Sequence, residues 1–219
     1  MRQKQTGFTL VEIAIVLVIV GLLLGGVLKG QAMIENAKIK NLRNDFEGIT
    51  AAVYGYQDRY KSMPGDDPRG NNTNRGWTDA VAGNGNGVLN TNNAFDAGAN
   101  ESQFLWQHLR YAGLISGNPA GATNNAGGRA NPVNAYKGKM GISGTTAAWG
   151  LGLRGTILCA GSIPGNAAEA LDAALDDGLP NSGQMRAVAG AGDVEPTGTV
   201  PATAYLDDGV TFYTICKSL

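Results

Sequence analysis

The sequence predicts an α+β protein in which one long N-terminal helix precedes a domain whose strands lie in the C-terminal third. An apolar run begins at Phe8 and continues to Leu28. After this run, strand-like segments rich in β-branched and aromatic residues appear only beyond residue 144. Between these regions, apolar residues recur at alternating spacings of four and three, which places them on one face of an amphipathic helix: Leu42, Phe46, Ile49, Val53, Tyr56 and Tyr60.

The composition suits a membrane helix joined to one domain with a core of its own. The chain has 219 residues, a net charge of −1 and only 16% charged residues. No basic stripe stands out, so nucleic acid is not expected as the main partner. The 33 glycines are about twice the average share, which favours long loops in this domain.

The run from Phe8 to Leu28 is long enough to cross a membrane. At 1.5 Å per residue, a helix of this length measures about 31 Å, close to the hydrocarbon thickness of a bilayer. The residues before it are polar and basic, and the last of them is Gly7. A secretory signal peptide carries its small-residue cleavage site after the apolar region. Here the small residue comes first, so cleavage after Gly7 would leave the helix on the chain with Phe8 as its N-terminus.

Glu12 is the single ionisable side chain in this run. A carboxylate within a spanning helix is costly and normally has a partner or a function. One interpretation pairs it with the α-ammonium of Phe8, in the same chain or in a neighbour, which favours a second helix staggered by about one turn. The alternative is an acid tolerated near the membrane interface, because Glu12 lies close to the helix start.

This order of basic leader, Gly7, Phe8-Thr9-Leu10-Val11-Glu12 and apolar helix resembles the N-terminus of type IV prepilins and pseudopilins. The resemblance implies that a prepilin peptidase and methyltransferase cleave after Gly7 and methylate Phe8. It also implies that Glu12 serves assembly with other pilin subunits. The expected fold is pilin-like, with a small antiparallel sheet packed on the long helix. Farther along, Pro64-Gly65-Asp66, the Gly-Asn repeat after Ala82 and Trp106-Gln107-His108-Leu109 resemble prepilin-like proteins of Gram-negative bacteria and indicate no activity.

Three parts are therefore expected: a leader at residues 1–7, a transmembrane and assembly helix at 8–28, and an extracytoplasmic pilin-like domain at 29–219. The helix should continue to about residue 62, where Met63-Pro64-Gly65 ends it. Pilins often carry a proline near Lys29, which this chain lacks, so no proline kink is expected there.

The charges flanking the run disagree with this orientation. More Lys and Arg residues follow the run than precede it, which by the positive-inside rule would place the domain in the cytoplasm. The family resemblance and the cysteines favour the opposite side. We expect a single-pass precursor in the bacterial inner membrane, and then a periplasmic pseudopilus or an extracellular pilus.

Cys159 and Cys216 are the only cysteines. In an exported domain two cysteines favour a disulfide. Closing a loop of nearly 60 residues stabilises the fold by about 4 kcal/mol on the chain-entropy model. Two buried free thiols are the alternative.

A long connection rich in Gly and Asn follows the helix, from Pro64 to about Ala99. Its Asp66, Asp67, Asn84 and Asn86 offer the hard oxygen ligands that calcium uses, although their spacing does not match an EF-hand. Asx turns and glycine turns explain the same residues without a metal. Calcium is thus the one cofactor that the sequence suggests, and the metal-free interpretation stands beside it.

The remaining elements are short. Helices are expected at Glu101–Ile115, with Ser102 near its start, and at Asn166–Leu175, with Asn166 as the N-cap. Strands are expected at Thr145–Leu153, Gly155–Ala160 and Val210–Cys216. The single histidine, His108, is expected to be structural. The pairs Asp176-Asp177 and Asp207-Asp208 each precede a glycine, which favours turns over a cation site.

These features favour a structural function, as a subunit of a type IV pilus or a type II secretion-like pseudopilus. The alternative is a binding module, a minor tip pilin whose long loops mediate adhesion or bind a ligand. No nucleophile with a paired base, phosphate-binding loop or metal triad is recognisable in the sequence, so an enzyme is not expected.

Overall fold

The computed structural model describes residues 9–77, 79–89, 94–95, 100–121, 127–144, 151–190, 192–193 and 202–219. The elements in chain order are α1 (Leu10–Tyr60), α2 (Glu101–Tyr111), β1 (Met140–Ser143), β2 (Ile157–Pro164), α3 (Gly165–Leu175), β3 (Met185–Ala189) and β4 (Phe212–Ser218). The chain divides into two compact units, Met1–Lys40 and Asn41–Leu219, and α1 contributes to both.

The second unit contains a four-stranded sheet with the order β1-β2-β4-β3. Every neighbouring pair is antiparallel. The predicted α+β fold, with a long helix on a small antiparallel sheet, is therefore confirmed. One side of the sheet contributes to a buried apolar cluster that consists of Ala94, Phe95, Leu151, Leu153, Ile157, Cys159, Val188 and Cys216.

The part of α1 in the second unit buries the predicted apolar stripe. Five of its six residues are buried, together with Ala52, and Tyr60 is half-buried. The helix ends at Tyr60, and Lys61 adopts a left-handed conformation with φ of 55°. This end lies where the Met63-Pro64 signal predicts it, because the residue before a proline is disfavoured in a helix.

The strand predictions are partly wrong. Two of them are observed with shifted ends, as β2 and β4. For the predicted strand at Thr145–Leu153, residues 145–150 lie outside the described residues and 151–153 are irregular. Strands β1 and β3 were not predicted, because each is short and contains small residues that carry little β propensity. They are strands because of their pairing: β1 pairs with β2, and β3 pairs with β4.

Both short helices begin differently from the prediction. Helix α2 starts after Asn100, whose side-chain oxygen accepts the Gln103 N–H at 3.1 Å, so Asn100 rather than Ser102 caps it. Helix α3 starts at Gly165, directly after β2, and makes no side-chain cap bond, so the Asn166 cap is wrong. A Cβ on Gly165 would collide with the carbonyl oxygen of Leu206, which explains the glycine at this junction.

The predicted disulfide joins Cys159 and Cys216. The two residues lie directly opposite each other in β2 and β4, and both are fully buried. The bond spans 57 residues of sequence, a separation for which the chain-entropy model gives about 4 kcal/mol of stabilisation. The disulfide thus joins the two central strands of the sheet covalently.

His108 holds part of the long connection after α1 against α2. Its Nδ1 accepts the Gly65 N–H at 2.9 Å, and its Nε2 lies 2.8 Å from the carbonyl oxygen of Val81. Since Nδ1 accepts, Nε2 carries the proton and donates to that carbonyl. Gly70 packs so closely that a Cβ there would collide with the imidazole. The structural role predicted for His108 is confirmed.

The buried environment of the His108 imidazole makes the free energy of unfolding depend on pH. Burial lowers the pKa of His108 to about 4, and the hydrogen bond to Val81 only partly opposes the shift. The unfolded chain, with an ordinary histidine pKa near 6.5, therefore binds more protons between about pH 6.5 and pH 4. The stability that neutral His108 contributes is complete above pH 6.5 and is lost as the pH falls through 4.

We predict that the free energy of unfolding of the full chain in detergent decreases by up to about 3 kcal/mol between pH 6.5 and 4 through this residue. Denaturant unfolding followed by tryptophan fluorescence measures it, because Trp77 lies 5.9 Å from the imidazole. The variant His108→Asn should be less stable at pH 7 and should lose less stability on acidification. An identical pH slope in both proteins would contradict the assignment.

Candidate functional site: the N-terminal apolar segment and the loop carboxylates

The apolar residues of the first unit have no partners within the described chain. From Leu10 to Leu28 every residue is exposed, including leucines that are up to 86% accessible. Helix α1 is long and apolar enough to cross a membrane, and none of its apolar window is buried. Such a surface must be covered by lipid or by another protein, because an apolar patch of this size is unfavourable in water.

Glu12 caps the start of α1. Its Oε2 accepts the backbone N–H of Thr9 at 2.8 Å and the Thr9 hydroxyl at 2.7 Å, and the Thr9 hydroxyl oxygen accepts the Glu12 N–H at 3.3 Å. Thr9 is the N-cap and Glu12 is the third helical residue, which is the arrangement of a capping box. Sequence reasoning missed this role, although Thr-x-x-Glu before an apolar run was the available signal.

The capping contacts leave one carboxylate oxygen of Glu12 for another donor. Both hydrogen bonds that Glu12 accepts use Oε2. Oε1 has no hydrogen bond within the described chain, and the side chain is exposed. One carboxylate can therefore cap its own helix and still accept a hydrogen bond from outside. Gly7 and Phe8, the predicted processing residues, lie outside the described residues, and the boundaries at residues 7 and 28 stay predictions.

Comparison with known protein families gives a match in this N-terminal segment. The family model described as the prokaryotic N-terminal methylation motif matches residues 2–28. A search among curated proteins gave no match to the chain. This match supports a class III signal peptide of the kind found in type IV prepilins and pseudopilins, and hence a type IV pilin or pseudopilin precursor. Processing by a prepilin peptidase and assembly into pilin polymers are the functions that this motif implies.

The calcium candidates of the second unit make a different set of contacts. Asp66 Oδ1 accepts the N–H groups of Gly85 at 2.7 Å and Asn86 at 3.1 Å, and Oδ2 accepts that of Gly87 at 2.7 Å. The segment 83–87 thus wraps the carboxylate with successive backbone N–H groups, an arrangement known as an anion-binding nest. A Cβ on Gly83 would collide with the backbone of Asp66, so glycine is required for this approach.

The other three candidates are also engaged in hydrogen bonds. Asn84 and Asn86 each accept a backbone N–H two residues ahead, at 2.9 Å, which is the Asx turn. Asp67 is fully buried and accepts from Tyr56 Oη and Arg75 Nη1, both at 2.9 Å. Burial alone would raise the pKa of Asp67, but hydrogen bonds led by that from Arg75 outweigh it and hold the pKa below its usual value. These contacts support the metal-free interpretation, while calcium binding stays a prediction.

The acidic residues near the C-terminus also accept hydrogen bonds within turns. Asp177 accepts from Leu179 N at 2.9 Å and Ser182 Oγ at 2.6 Å, and Asp208 accepts from the N–H groups of Val210 and Thr211. Sequence reasoning missed Asp172, which is buried in α3 and accepts from the Tyr205 hydroxyl at 2.5 Å. Burial raises its pKa to about 6. Nothing in the local sequence distinguishes Asp172 from an exposed helix residue.

We predict that a chelator leaves the melting temperature of the full chain unchanged, because backbone N–H groups already stabilise the Asp66 carboxylate. The variant Asp66→Asn should lower the melting temperature in EDTA and in calcium alike, since an amide oxygen accepts these hydrogen bonds more weakly than a carboxylate. Thermal unfolding in EDTA and in about 1 mM calcium gives the comparison, because this concentration exceeds the dissociation constant of a sensor-type site by at least about a hundredfold. A fall in EDTA that calcium reverses, and that Asp66→Asn abolishes, would instead establish the calcium site.

Proposed function

We propose that this protein is a structural subunit of a type IV pilus or a type II secretion-like pseudopilus, assembled through α1 after cleavage at Gly7 and methylation of Phe8. The observation that carries this proposal is the methylation motif at residues 2–28, together with the exposed apolar side chains of α1 from Leu10 to Leu28. The motif accounts for processing, and the exposed apolar surface accounts for association.

The physical reasoning concerns what covers the apolar segment. In the precursor the lipid bilayer surrounds residues 8–28. Once a subunit leaves the membrane, only identical or related helices can replace the lipid. Because a contact between different faces of identical copies does not close on itself, it propagates into a helical filament.

An ion pair of Glu12 with a neighbouring chain fixes how neighbouring helices are staggered in this assembly. Its Oε1 is available, and the newly formed α-ammonium of a neighbouring Phe8 is a cation that requires a partner in an apolar environment. Pairing the two groups sets a stagger of about four residues between neighbouring helices.

The disulfide supports an extracytoplasmic position of the domain. Disulfides persist in the periplasm and at the cell surface and are rare in the bacterial cytoplasm. Cys159 and Cys216 are bonded and fully buried. We give this argument and the family resemblance more weight than the Lys and Arg count, which favours the opposite orientation.

We predict that protein recovered from its native cells lacks residues 1–7 and begins with N-methylated Phe8. Intact-mass measurement and sequencing of the N-terminal peptide test this directly. Retention of Met1 would identify an ordinary signal-anchored membrane protein and would remove the basis for filament assembly. The abundance of the chain in purified filaments then separates a major subunit from a minor tip pilin.

We predict that Glu12→Ala and Glu12→Gln are both inserted and cleaved but each yields at least about tenfold fewer filaments, since loss of 1.4 kcal/mol per contact already changes an association constant tenfold. The two variants separate the two roles of Glu12. Glutamine retains the capping box but removes the charge. Quantitative immunoblotting of sheared filaments, with total cleaved subunit as the reference, gives the yield.

Thr9→Ala serves as the control for capping, because it removes the hydroxyl partner and leaves the charge. Normal filament yield from Glu12→Gln, combined with a defect in Thr9→Ala, would show that capping rather than charge pairing is the function of Glu12.

A further inference from the structure

A groove borders the part of α1 that belongs to the second unit. It lies between helix residues 41–49 and the loops at 114–116 and 132–135. Two adjoining cavities of about 260 and 290 Å³ form it, and they share Asn44, Asp45 and Val133. All these residues belong to the second unit, and none of the elements described above fills the groove.

Among the described residues, Asp45 is the only ionisable one that lines the groove. Its side chain is half-buried and has no hydrogen-bond or ion-pair partner in the part of the chain that the structure describes. Burial raises the pKa of this carboxyl group, which lies well beyond the apolar segment that ends at Leu28. A partly desolvated carboxylate is unfavourable unless a cation or a donor compensates it. The groove therefore favours a cationic occupant.

The walls of the groove select a cation with an aliphatic stem. Leu114 and Ile115 are half-buried, and Val133 is 63% exposed although it is apolar. A lysine can place its methylene groups along such a surface while its ammonium group reaches the carboxylate. A small inorganic cation would leave these apolar side chains uncovered.

Gly48 also lines the groove and indicates that something approaches closely. A Cβ at this position would meet no atom within 4 Å. Glycine in a helix interior is destabilising relative to alanine, and no contact within the described chain requires it here. Glycine on an exposed helix face instead allows another backbone to come near. Together with Asp45, it indicates a helix that carries a basic side chain.

We propose that this groove binds α1 of a second copy of the chain, with Lys40 of the second copy against Asp45. The proposal rests on the proposed function, and in particular on a stagger of four residues between parallel helices. The shift that places Phe8 of one copy beside Glu12 of another also places residue 41 level with Asp45. Lys40 is one residue away, a rise of about 1.5 Å, which the length of a lysine side chain easily spans.

The other cations in this stretch of α1 already have partners. Lys38 lies 3.7 Å from Glu35, and Arg43 lies 2.8 Å from Glu47. Lys40 is exposed and makes no ion pair among the described residues. Charge complementarity between different faces of the same chain therefore selects Lys40, and such a contact between unlike faces extends a polymer.

The experiment is a charge exchange in the full chain, assembled in cells that lack the wild-type gene. Asp45→Lys and Lys40→Asp should each reduce filament yield at least about tenfold, the change that corresponds to 1.4 kcal/mol, and the double exchange should restore it to within about threefold. Glu169→Lys, which makes the same charge change on the exposed face of α3, should assemble normally. Cleaved subunit in the membrane and tryptophan fluorescence in detergent establish that each variant is processed and folded.

A second variant keeps the test independent of charge and of folding. The Cβ that Gly48→Leu adds meets no described atom within 4 Å, and leucine has a higher helix propensity than glycine, so we expect the monomer to fold and to be at least as stable. It should nevertheless reduce filament yield at least about tenfold, by the same conversion, because the second helix is then kept away. A photo-crosslinking residue at Val133 should yield an adduct of two copies joined through α1.

The outcomes separate this inference from the proposed function. Normal assembly of Asp45→Lys or of Gly48→Leu overturns the groove contact and leaves the filament function intact. Failure of the double exchange to restore assembly overturns Lys40 as the partner. A crosslink from Val133 to a different protein assigns the groove to that protein. If the wild-type chain forms no filaments and retains residues 1–7, the proposed function fails and the groove proposal fails with it.

Discussion

The exposed apolar surface between Leu10 and Leu28 is the constraint on which the rest of this molecule depends. Its side chains are covered by nothing within the described chain, so the protein is complete only when lipid or other copies surround them. A single carboxylate, Glu12, interrupts the surface one turn from its start. Its Oε2 caps the helix and its Oε1 is left for another donor, so the group that stabilises the monomer also offers a contact to a neighbour. In the proposed filament, this contact gives association a direction along the helix.

The second unit contains long glycine-rich loops that have few apolar side chains for packing. Hydrogen bonds to buried polar groups and one disulfide hold this unit together instead. The Asp66 carboxylate gathers three backbone N–H groups of the segment 83–87, and His108 joins Gly65 to Val81 through its two ring nitrogens. The disulfide joins the central strands β2 and β4. These interactions give the loops defined positions and leave the face of α1 around Asp45 and Gly48 available for contacts outside the chain.

Sequence reasoning was most successful where one residue pattern admits one physical solution. An apolar run with a preceding glycine and a stripe with helical spacing led directly to α1, and the two cysteines led to the disulfide. It was least successful for β1, β3 and Asp172. Short strands such as Met140–Ser143 take their form from the neighbouring strand, and the burial of Asp172 depends on Tyr205, which lies 33 residues away. The Gly-Asn repeat shows the same limit, because side-chain oxygens suggested a cation while the backbone N–H groups bind an anion.

By itself the sequence determined the N-terminal apolar segment, the α+β class and the cysteine pair, because each follows from local composition, periodicity or spacing. The class III signal rests on the family resemblance of residues 2–28. Only the tertiary structure decided which atoms meet: that Glu12 closes a capping box with Thr9 and that Asp66 lies in a nest formed some twenty residues later. It also decided that Asp45, beside Gly48, has no partner among the described residues. The physical reason is that hydrogen bonding and desolvation are properties of neighbours in space. Residues far apart in the chain become such neighbours only when the backbone has folded.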